Sequence, residues 1–200
     1  MAEPQDDPRL NVAVIVGSTR EGRFGPAVGD WLLERMAQRE DMTVDLVDLV
    51  RTPVPAVLPD ITRPPRPEDA ELLERVSPRL EAADAFVVIT PEYNHSYPGG
   101  LKTAIDWHNL QWHGKPVAFV SYGGIAGGLR AVEALRVVFG ELNVVTIRNT
   151  VSFHDYPQNL DADGRPTDPA CDVAAKSMLD QLAWWGLALR EARTARPFSA

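Results

Sequence analysis

The stretch from Ala85 to Trp107, AFVVITPEYNHSYPGGLKTAIDW, decides the fold. Its first six residues, Ala85 to Thr90, form an almost wholly apolar run, which is typical of a strand buried on both faces. A loop rich in hydrogen-bonding groups follows, and we expect a helix from Gly99 to Trp112. A buried strand, a polar loop and a helix in this order predict one unit of a parallel α/β sheet.

The rest of the chain repeats this alternation. Apolar runs predict four more strands, and helical spacing of apolar residues predicts four more helices. Pro78 is expected to kink or interrupt the second helix. The strands are Asn11–Gly17, Met42–Leu49, Val117–Tyr122 and Val144–Arg148, and the helices are Phe24–Glu40, Ala70–Ala83, Leu129–Phe139 and Pro169–Ala192. The pattern predicts a three-layer, doubly wound α/β fold with a five-stranded parallel sheet of order 2-1-3-4-5. We expect one domain over residues 1–200, with residues 1–10 as a flexible N-terminal tail.

Composition narrows the class of protein. A net charge of −8 argues against nucleic acid or an anionic membrane surface as the main partner, because both need clustered cations. The chain has one cysteine, Cys171, so no intrachain disulfide is possible, which fits a reducing compartment. No apolar run is long enough for a membrane span, and the N-terminus does not resemble a signal peptide. We therefore expect a cytoplasmic protein without membrane insertion.

The loop after the first strand, GSTREGRFG, suits an anionic group. It opens a helix, whose free N–H groups and positive dipole end favour phosphate. Ser18 adds a hydroxyl group, and Arg20 and Arg23 add charge. The loop matches neither the Walker A motif nor G-x-G-x-x-G. A capped turn with solvated arginines therefore remains an alternative.

A second loop, SYGGIAGG, follows the fourth strand. Its four glycines allow the backbone to approach a ligand closely, and its N–H groups could face the carbonyl edge of a ring. A flexible turn is the alternative. In a sheet of this order, the loops after strands one, three and four meet at the point where the strand order reverses, which is where such sheets bind ligands.

Other chemistries have weaker support. His108 and His113 are five residues apart, which does not suit a metal pair on one helix face, and no serine stands at a nucleophile elbow. We therefore predict no metal site and no catalytic acid, base or nucleophile. Arg51 to Pro67 contains six prolines, which excludes a central strand. It is interpreted as a surface connection or, alternatively, as a wall beside the ligand or a subunit contact.

Three motifs together resemble those of the NAD(P)H-dependent FMN reductase family, which has a flavodoxin-like fold and includes chromate, quinone and azo-dye reductases. They are GSTREGRFG, PEYNHSYPGGLKTAIDW and SYGGIAGG, in this order and at these strand ends. The resemblance covers about Val12 to Phe153. It implies FMN as bound cofactor, NADPH or NADH as hydride donor, and a homodimer or homotetramer as the working form.

The resemblance also implies which residues hold FMN. The phosphate would lie against Ser18, Arg20, Arg23 and Phe24, although a small residue is common in the family where Arg23 stands. The isoalloxazine ring would contact Pro91, Glu92, Tyr93 and Asn94, with Ser96 nearby. Backbone contacts to the ring edge would come from Gly123 and Gly124, with Ser121 beside them. His95 could touch the flavin or substrate, or could simply be solvated.

The chemistry would then be carried by FMN, so that no side chain need act as a catalytic acid or base. The expected acceptors are small molecules: quinones, azo compounds, metal oxyanions or free flavin. A flavodoxin-type electron carrier and a non-catalytic flavin redox sensor remain alternatives. The sequence also does not separate a quinone reductase from an enzyme that supplies reduced flavin to a monooxygenase.

Overall fold

A computed structural model describes residues 8–60, 62–161 and 165–199 of the chain. Five strands form one sheet, with each neighbouring pair parallel and in the order β2-β1-β3-β4-β5. The strands are β1 (Leu10–Val16), β2 (Met42–Asp48), β3 (Ala85–Pro91), β4 (Pro116–Tyr122) and β5 (Val145–Phe153). The predicted fold class and strand order are confirmed.

Helices cover both faces of this sheet. The described residues form α1 (Gly25–Met36), α2 (Pro67–Leu73), α3 (Ser77–Ala82), α4 (Gly99–Asp106), α5 (Leu129–Glu141) and α6 (Ala170–Ala195). Buried residues of α1 and α6 pack on one face, and those of α3, α4 and α5 pack on the other. The layers therefore follow the doubly wound arrangement expected from the alternation of strands and helices.

Side-chain alternation along β1 shows how the sheet is buried. Val12, Val14 and Val16 belong to the core under α1 and α6, whereas Ala13 and Ile15 belong to the opposite core. Successive side chains of a strand point to opposite faces, so a strand buried on both faces must be apolar throughout. Full burial of one such side chain contributes roughly 1.5–3 kcal/mol, so each central strand contributes substantially to stability.

Pro78 begins a helix instead of kinking one. The predicted helix Ala70–Ala83 is two helices, α2 and α3, and Pro78 lies in the first turn of α3. The missing N–H of proline has no helical partner in a first turn, so proline is well tolerated there. The expected interruption is therefore confirmed, but the break falls between Leu73 and Ser77, just before the proline.

The fourth helix is shorter than predicted. It ends at Asp106 instead of Trp112. The indole Nε1 of the buried Trp112 donates to the carbonyls of Ile105 (3.2 Å) and His108 (2.8 Å). Carbonyls at a helix end need such partners, and here a side chain supplies them in place of another helical turn.

The edge strand and the N-terminal region also differ from the predictions. Strand β5 extends to Phe153 instead of ending at Arg148, because an edge strand tolerates the polar residues that obscured its pattern. Leu10 is fully buried at the start of β1, and Arg190 donates to the carbonyls of Pro8 and Arg9. Residues 8–10 are therefore not part of a free tail, and residues 1–7 lie outside the described residues.

Two further expectations concern the surface. Most described residues between Arg51 and Pro67 are exposed, as expected for a surface connection, although Pro55 is buried and its carbonyl accepts a hydrogen bond from Trp107 Nε1 (2.6 Å). Among the described residues, no helix combines the length and apolar character needed to cross a membrane.

Candidate functional site

A cleft of about 270 Å³ opens at the carboxyl ends of β1, β3 and β4. It lies at the point where the strand order reverses, and it brings together the three loops that the sequence singled out. The lining residues are Arg20, Glu21, Gly22, Arg23, Phe24, Pro91, Glu92, Tyr93, Tyr122, Gly123, Gly124 and Tyr156. Of the predicted site residues, Ser18, Asn94, Ser96 and Ser121 lie close to this lining in the chain without belonging to it.

The loop between β1 and α1 leaves its backbone donors unused. From Ser18 to Phe24, no backbone N–H donates to a backbone carbonyl of the described part of the chain. Arg20 lies exposed at the cleft, and α1 begins directly after the loop. Unpaired N–H groups at a helix N-terminus beside an arginine are the elements of an anion site.

Two buried hydroxyl groups lie beneath this loop. Ser18 is fully buried and Tyr122 is 5% exposed, and neither Ser18 Oγ nor the Tyr122 hydroxyl makes a hydrogen bond of good geometry with the described residues. The Ser18 side chain and the Gly25 backbone do lie close to the Tyr122 hydroxyl. Burial raises the pKa of Tyr122 to about 12, so its hydroxyl keeps its proton. A Cβ at Gly25 would lie 2.4 Å from Ser18 Oγ and 3.3 Å from the Tyr122 oxygen, so only glycine fits there. Buried polar groups without good partners are rare, so these two hydroxyl groups favour a ligand-binding role for this loop.

Arg23 is already paired within the protein. Its Nη1 donates to Asp48 Oδ1 (2.7 Å) and to the Ser18 carbonyl (3.1 Å), and its Nη2 donates to Asp48 Oδ2 (2.6 Å). Burial alone would raise the pKa of the Asp48 carboxyl, but hydrogen bonds from Arg23 and from the Val50 N–H outweigh it and hold that pKa below its usual value. The guanidinium therefore braces the loop against β2, and the structure gives it a role that the sequence prediction did not include.

Aromatic rings form one side of the cleft. Phe24 stacks on Tyr156 with 3.8 Å between ring centroids, and Tyr122 meets Phe24 edge-on at 5.5 Å and Tyr156 at 5.7 Å. Tyr156 belongs to the segment Asp155–Asp168, a polar, proline-containing stretch whose sequence alone is typical of an exposed loop. Tyr156 is nevertheless half-buried, and residues 162–164 of this segment lie outside the described residues.

The loop after β3 is held by an ion pair. The Glu92 side chain is only 9% exposed, and its Oε1 lies 2.8 Å from Arg130 Nε. Tyr93 is half-buried at the cleft, and its N–H donates to the Ser96 carbonyl. Asn94 is exposed in the turn between them. Glu92 therefore shapes the cleft through Arg130, while Tyr93 supplies ring surface to it.

The glycine-rich loop offers fewer donors than its sequence suggested. The Gly123 N–H donates to the Phe153 carbonyl (3.1 Å), so it cannot also serve a ligand in this conformation. The Gly124 N–H makes no backbone hydrogen bond within the described residues. Ser121 Oγ donates to the Gly127 carbonyl (2.8 Å), and Gly128, at φ 85°, lies too close to Ser121 for any side chain. Ser121 and Gly128 thus fix the loop, and of the two glycines that line the cleft it is Gly124 whose N–H can serve a ligand.

Sequence analysis did not identify four residues that shape the cleft: Asp48, Tyr122, Arg130 and Tyr156. Tyr122 is the last residue of β4, so its place at the carboxyl end of a strand was a usable signal. The other three act through contacts with residues distant in sequence, which no local pattern reveals.

Other groups are accounted for within the protein. Among the described residues, no three potential metal ligands cluster. His108 is buried; its Nδ1 lies 2.7 Å from the Ala104 carbonyl and its Nε2 lies 2.9 Å from Ser77 Oγ, and burial lowers its pKa. A second cavity, of about 310 Å³, lies between the end of β5 and the start of α6 and shares Tyr156 with the cleft. Although it is larger, it lacks the loop of unpaired N–H groups, so we assign the site to the smaller cleft.

Comparisons with known proteins agree on one family. Residues 10–158 match the model of the NADPH-dependent FMN reductase family. An NAD(P)H:quinone oxidoreductase from Solanum tuberosum is 31% identical over 194 residues, covering 92% of this chain and 95% of that protein. An NAD(P)H-dependent FMN reductase from Schizosaccharomyces pombe is 34% identical over 120 residues, covering 58% of this chain and only 60% of that protein.

A solved structure extends the similarity to the fold. FerB, a flavoenzyme NAD(P)H:(acceptor) oxidoreductase from Paracoccus denitrificans, superposes with a TM-score of 0.70 at 27% identity, covering 90% of this chain and 98% of that one. The family match spans far more than half of the chain and includes every loop of the cleft. The chain therefore belongs to the NADPH-dependent FMN reductase family, whose enzymes use FMN and a nicotinamide nucleotide.

Proposed function

We propose that the protein passes a hydride from NADPH or NADH, through FMN held in the cleft, to a quinone or a related small-molecule acceptor. The observation that carries the proposal is the loop from Ser18 to Phe24. Within the described part of the chain, its backbone N–H groups donate to no backbone carbonyl, and the buried Ser18 Oγ makes no hydrogen bond of good geometry. Such a loop is suited to a phosphate, and the aromatic rings beside it are suited to a flat ring system.

The residues present fit FMN. Arg20, the N–H groups of the first loop and Ser18 would hold the phosphate, with Phe24 at the loop's end. Pro91, Glu92 and Tyr93 would border the isoalloxazine ring, with Asn94 and Ser96 in the adjoining turn. Gly124 would face the ring edge, with Gly123 and Ser121 fixing its loop. Arg23 would act through the loop it braces, since its guanidinium is paired with Asp48.

When bound, FMN supplies the redox chemistry by accepting and donating a hydride equivalent. The protein's own contribution is orientation and electrostatics. Of the two glycines that line the cleft, Gly124 would offer its N–H to negative charge at the ring edge, because the Gly123 N–H donates to the Phe153 carbonyl. Because the Tyr122 hydroxyl keeps its proton, it can donate a hydrogen bond toward the loop Ser18–Phe24 without adding negative charge.

Quinones are the favoured acceptors because the relative from Solanum tuberosum, similar over nearly the whole chain, is named as a quinone oxidoreductase. Azo compounds, metal oxyanions and free flavin remain further candidates. We also propose a cytoplasmic location, a single FMN-binding domain over residues 1–200 and a homodimer or homotetramer. The single cysteine is consistent with a reducing compartment, and the net charge of −8 makes nucleic acid an unsuitable partner.

The test is a purified protein with its absorbance spectrum, anaerobic reduction by NADPH and by NADH, and turnover with a quinone panel. We expect a yellow protein whose flavin is bleached by a nicotinamide nucleotide and reoxidised by quinone. A colourless protein that FMN cannot reconstitute contradicts the proposal. Bound FMN with slow nucleotide oxidation and a titration that halts after one electron indicates an electron carrier, and bound FMN without any turnover indicates a sensor.

A further inference from the structure

The turn after β3 contains a histidine in an unfavourable backbone conformation. Tyr93 and Ser96 exchange backbone hydrogen bonds of 2.8 and 3.1 Å, and they enclose Asn94 at φ 48° and His95 at φ 73°. Two-residue turns of this kind favour asparagine and then glycine, since both central residues need positive φ. Glycine would be the relaxed choice at position 95. A histidine held there is a reason to ask what its ring does.

The ring of His95 is held by Arg130. The Arg130 Nη1 lies 2.8 Å from His95 Nδ1. A guanidinium has only donors, so Nδ1 must accept, and the neutral ring must carry its proton on Nε2. The contact with Arg130 thus selects one tautomer.

Arg130 is itself anchored between two loops of the cleft. It is the second residue of α5, directly after the glycine-rich loop, and its backbone N–H donates to Glu92 Oε2 (3.3 Å) while its Nε lies 2.8 Å from Glu92 Oε1. Glu92 lines the cleft and is nearly buried. The chain of contacts from Glu92 through Arg130 to His95 therefore ties the rim histidine to the cleft wall.

Because His95 Nδ1 accepts from Arg130, the Nε2–H of His95 is the ring donor that remains for another molecule. The residue is exposed, and its Nε2 has no hydrogen-bond partner in the described part of the chain. It lies two residues after Tyr93, which lines the cleft. A neutral N–H at the rim suits an oxygen that gains negative charge, as a quinone oxygen does when the ring takes up a hydride.

We propose that His95 is an acceptor-binding residue whose Nε2–H donates to a carbonyl oxygen of the quinone, and that Arg130 is the positioning residue that fixes its tautomer. This inference rests on the function proposed above. The quinone takes two electrons and one proton as a hydride equivalent and a second proton from water, giving the hydroquinone, while NAD(P)H becomes NAD(P)⁺. His95 keeps its proton throughout.

Kinetics with two kinds of acceptor test the role of His95. His95→Phe should lower kcat/KM for 1,4-benzoquinone about tenfold, equivalent to about 1.4 kcal/mol. Flavin reduction by NADPH and turnover with ferricyanide, an electron acceptor that needs no protein donor, should stay unchanged. His113→Phe is the matched control, because His113 lies between α4 and β4 at the far end of the sheet. An unchanged benzoquinone rate, or equal losses with both acceptors, overturns the inference.

A glycine variant separates this role from a structural one. His95→Gly relieves the positive-φ strain, so the melting temperature should stay the same or rise while the tenfold loss with benzoquinone remains. A lower melting temperature with unchanged benzoquinone kinetics would make His95 structural and contradict the inference. If wild-type protein fails to reduce its flavin with NADPH, the proposed function fails first, whatever His95 does.

The role of Arg130 has a spectroscopic test that needs no turnover. The ¹⁵N shifts of the His95 ring should show an unprotonated Nδ1 and a protonated Nε2 in the neutral form of the wild-type protein. Arg130→Met should give a mixture of tautomers and the same selective loss with benzoquinone. A wild-type ring that carries its proton on Nδ1 would overturn the positioning role.

Discussion

The amino and carboxyl ends of the sheet differ in whether their buried polar side chains are fully hydrogen-bonded. At the amino end, His108 and Lys115 are buried and every ring nitrogen and the ammonium group has a partner. At the carboxyl end, the described residues include three buried side-chain atoms without a hydrogen bond, namely Ser18 Oγ, the Tyr122 hydroxyl and Arg130 Nε, the last of which lies near the Glu92 carboxylate. Tyr122 lines the cleft, Ser18 begins the loop that continues into its lining, and Arg130 contacts the cleft-lining Glu92.

Two histidines show the same contrast. His108 Nδ1 faces the Ala104 carbonyl and must donate to it, so its Nε2 accepts from Ser77 Oγ. His95 Nδ1 faces a guanidinium and must accept, so its Nε2–H is left over. The first ring uses both nitrogens for the fold, and the second keeps one for another molecule. Unused hydrogen-bonding capacity thus locates a site better than residue type does.

The largest expected effect on stability concerns Asp48, which links β2 to the loop Ser18–Phe24 through its ion pair with Arg23. Asp48→Asn removes the charge partner of a nearly buried Arg23, so unfolding free energy of the apoprotein should fall by about 3 kcal/mol in urea titrations. The control is Asp45→Asn, which breaks the more exposed pair with Arg79 and should lower it by less than about 1 kcal/mol.

The Asp48 effect should also depend on pH. The folded-state pKa of Asp48 lies below its unfolded value, so the stabilisation is present above about pH 4 and is lost as the pH falls through the folded-state pKa. The difference between wild type and Asp48→Asn should therefore shrink in strong acid. A difference that stays constant down to pH 2 would show that the pair does not contribute as a charge pair.

The pH dependence of the unfolding free energy tests the buried Lys115 at the amino end of the sheet. Burial, the largest cause, lowers the pKa of its ammonium group to about 8, so between pH 8 and about 10.5 the unfolded chain binds more protons than the folded one. Unfolding free energy should rise with pH across this window by at most about 3.4 kcal/mol. Lys115→Met should flatten that part of the pH profile; an unchanged slope would assign it to other groups.

Arg20 tests the charge at the cleft. Arg20→Ala should weaken FMN binding by about 1–3 kcal/mol, the range for a hydrogen bond to a charged group. Fluorescence titration of apoprotein with FMN measures it, with Arg63→Ala in the exposed proline-rich connection as control. Equal FMN affinity in wild type and Arg20→Ala would remove Arg20 from the site.

The smallest expected effects, those of two serine-to-alanine variants, distinguish the carboxyl end of the sheet from its amino end most directly. Ser18→Ala removes an unpartnered hydroxyl and should change apoprotein stability by less than about 0.5 kcal/mol, yet weaken FMN binding by about 1 kcal/mol. Ser77→Ala removes a hydroxyl that serves His108 and should do the reverse. Loss of stability in Ser18→Ala without loss of FMN affinity would contradict the assignment of the phosphate loop.

The cleft could be predicted as far as its elements follow from local pattern. The strands β1, β3 and β4, and the loops after them, are visible as apolar runs followed by polar or glycine-rich segments, so eight predicted site residues do line the cleft. Position at a strand end does not say whether a group is free. Gly123 and Arg23 both lie at the cleft, but Phe153 and Asp48 already occupy their donors.

The sequence by itself determined the doubly wound fold, the strand order and the family, because hydrophobic periodicity and short motifs are local properties of the chain. Only the tertiary structure decided which polar groups remain unpaired. Asp48 meets Arg23 across 25 residues, Glu92 meets Arg130 across 38, and Phe24 meets Tyr156 from the other edge of the cleft. Hydrogen bonding is settled by distances of about 3 Å, which no spacing along the chain specifies.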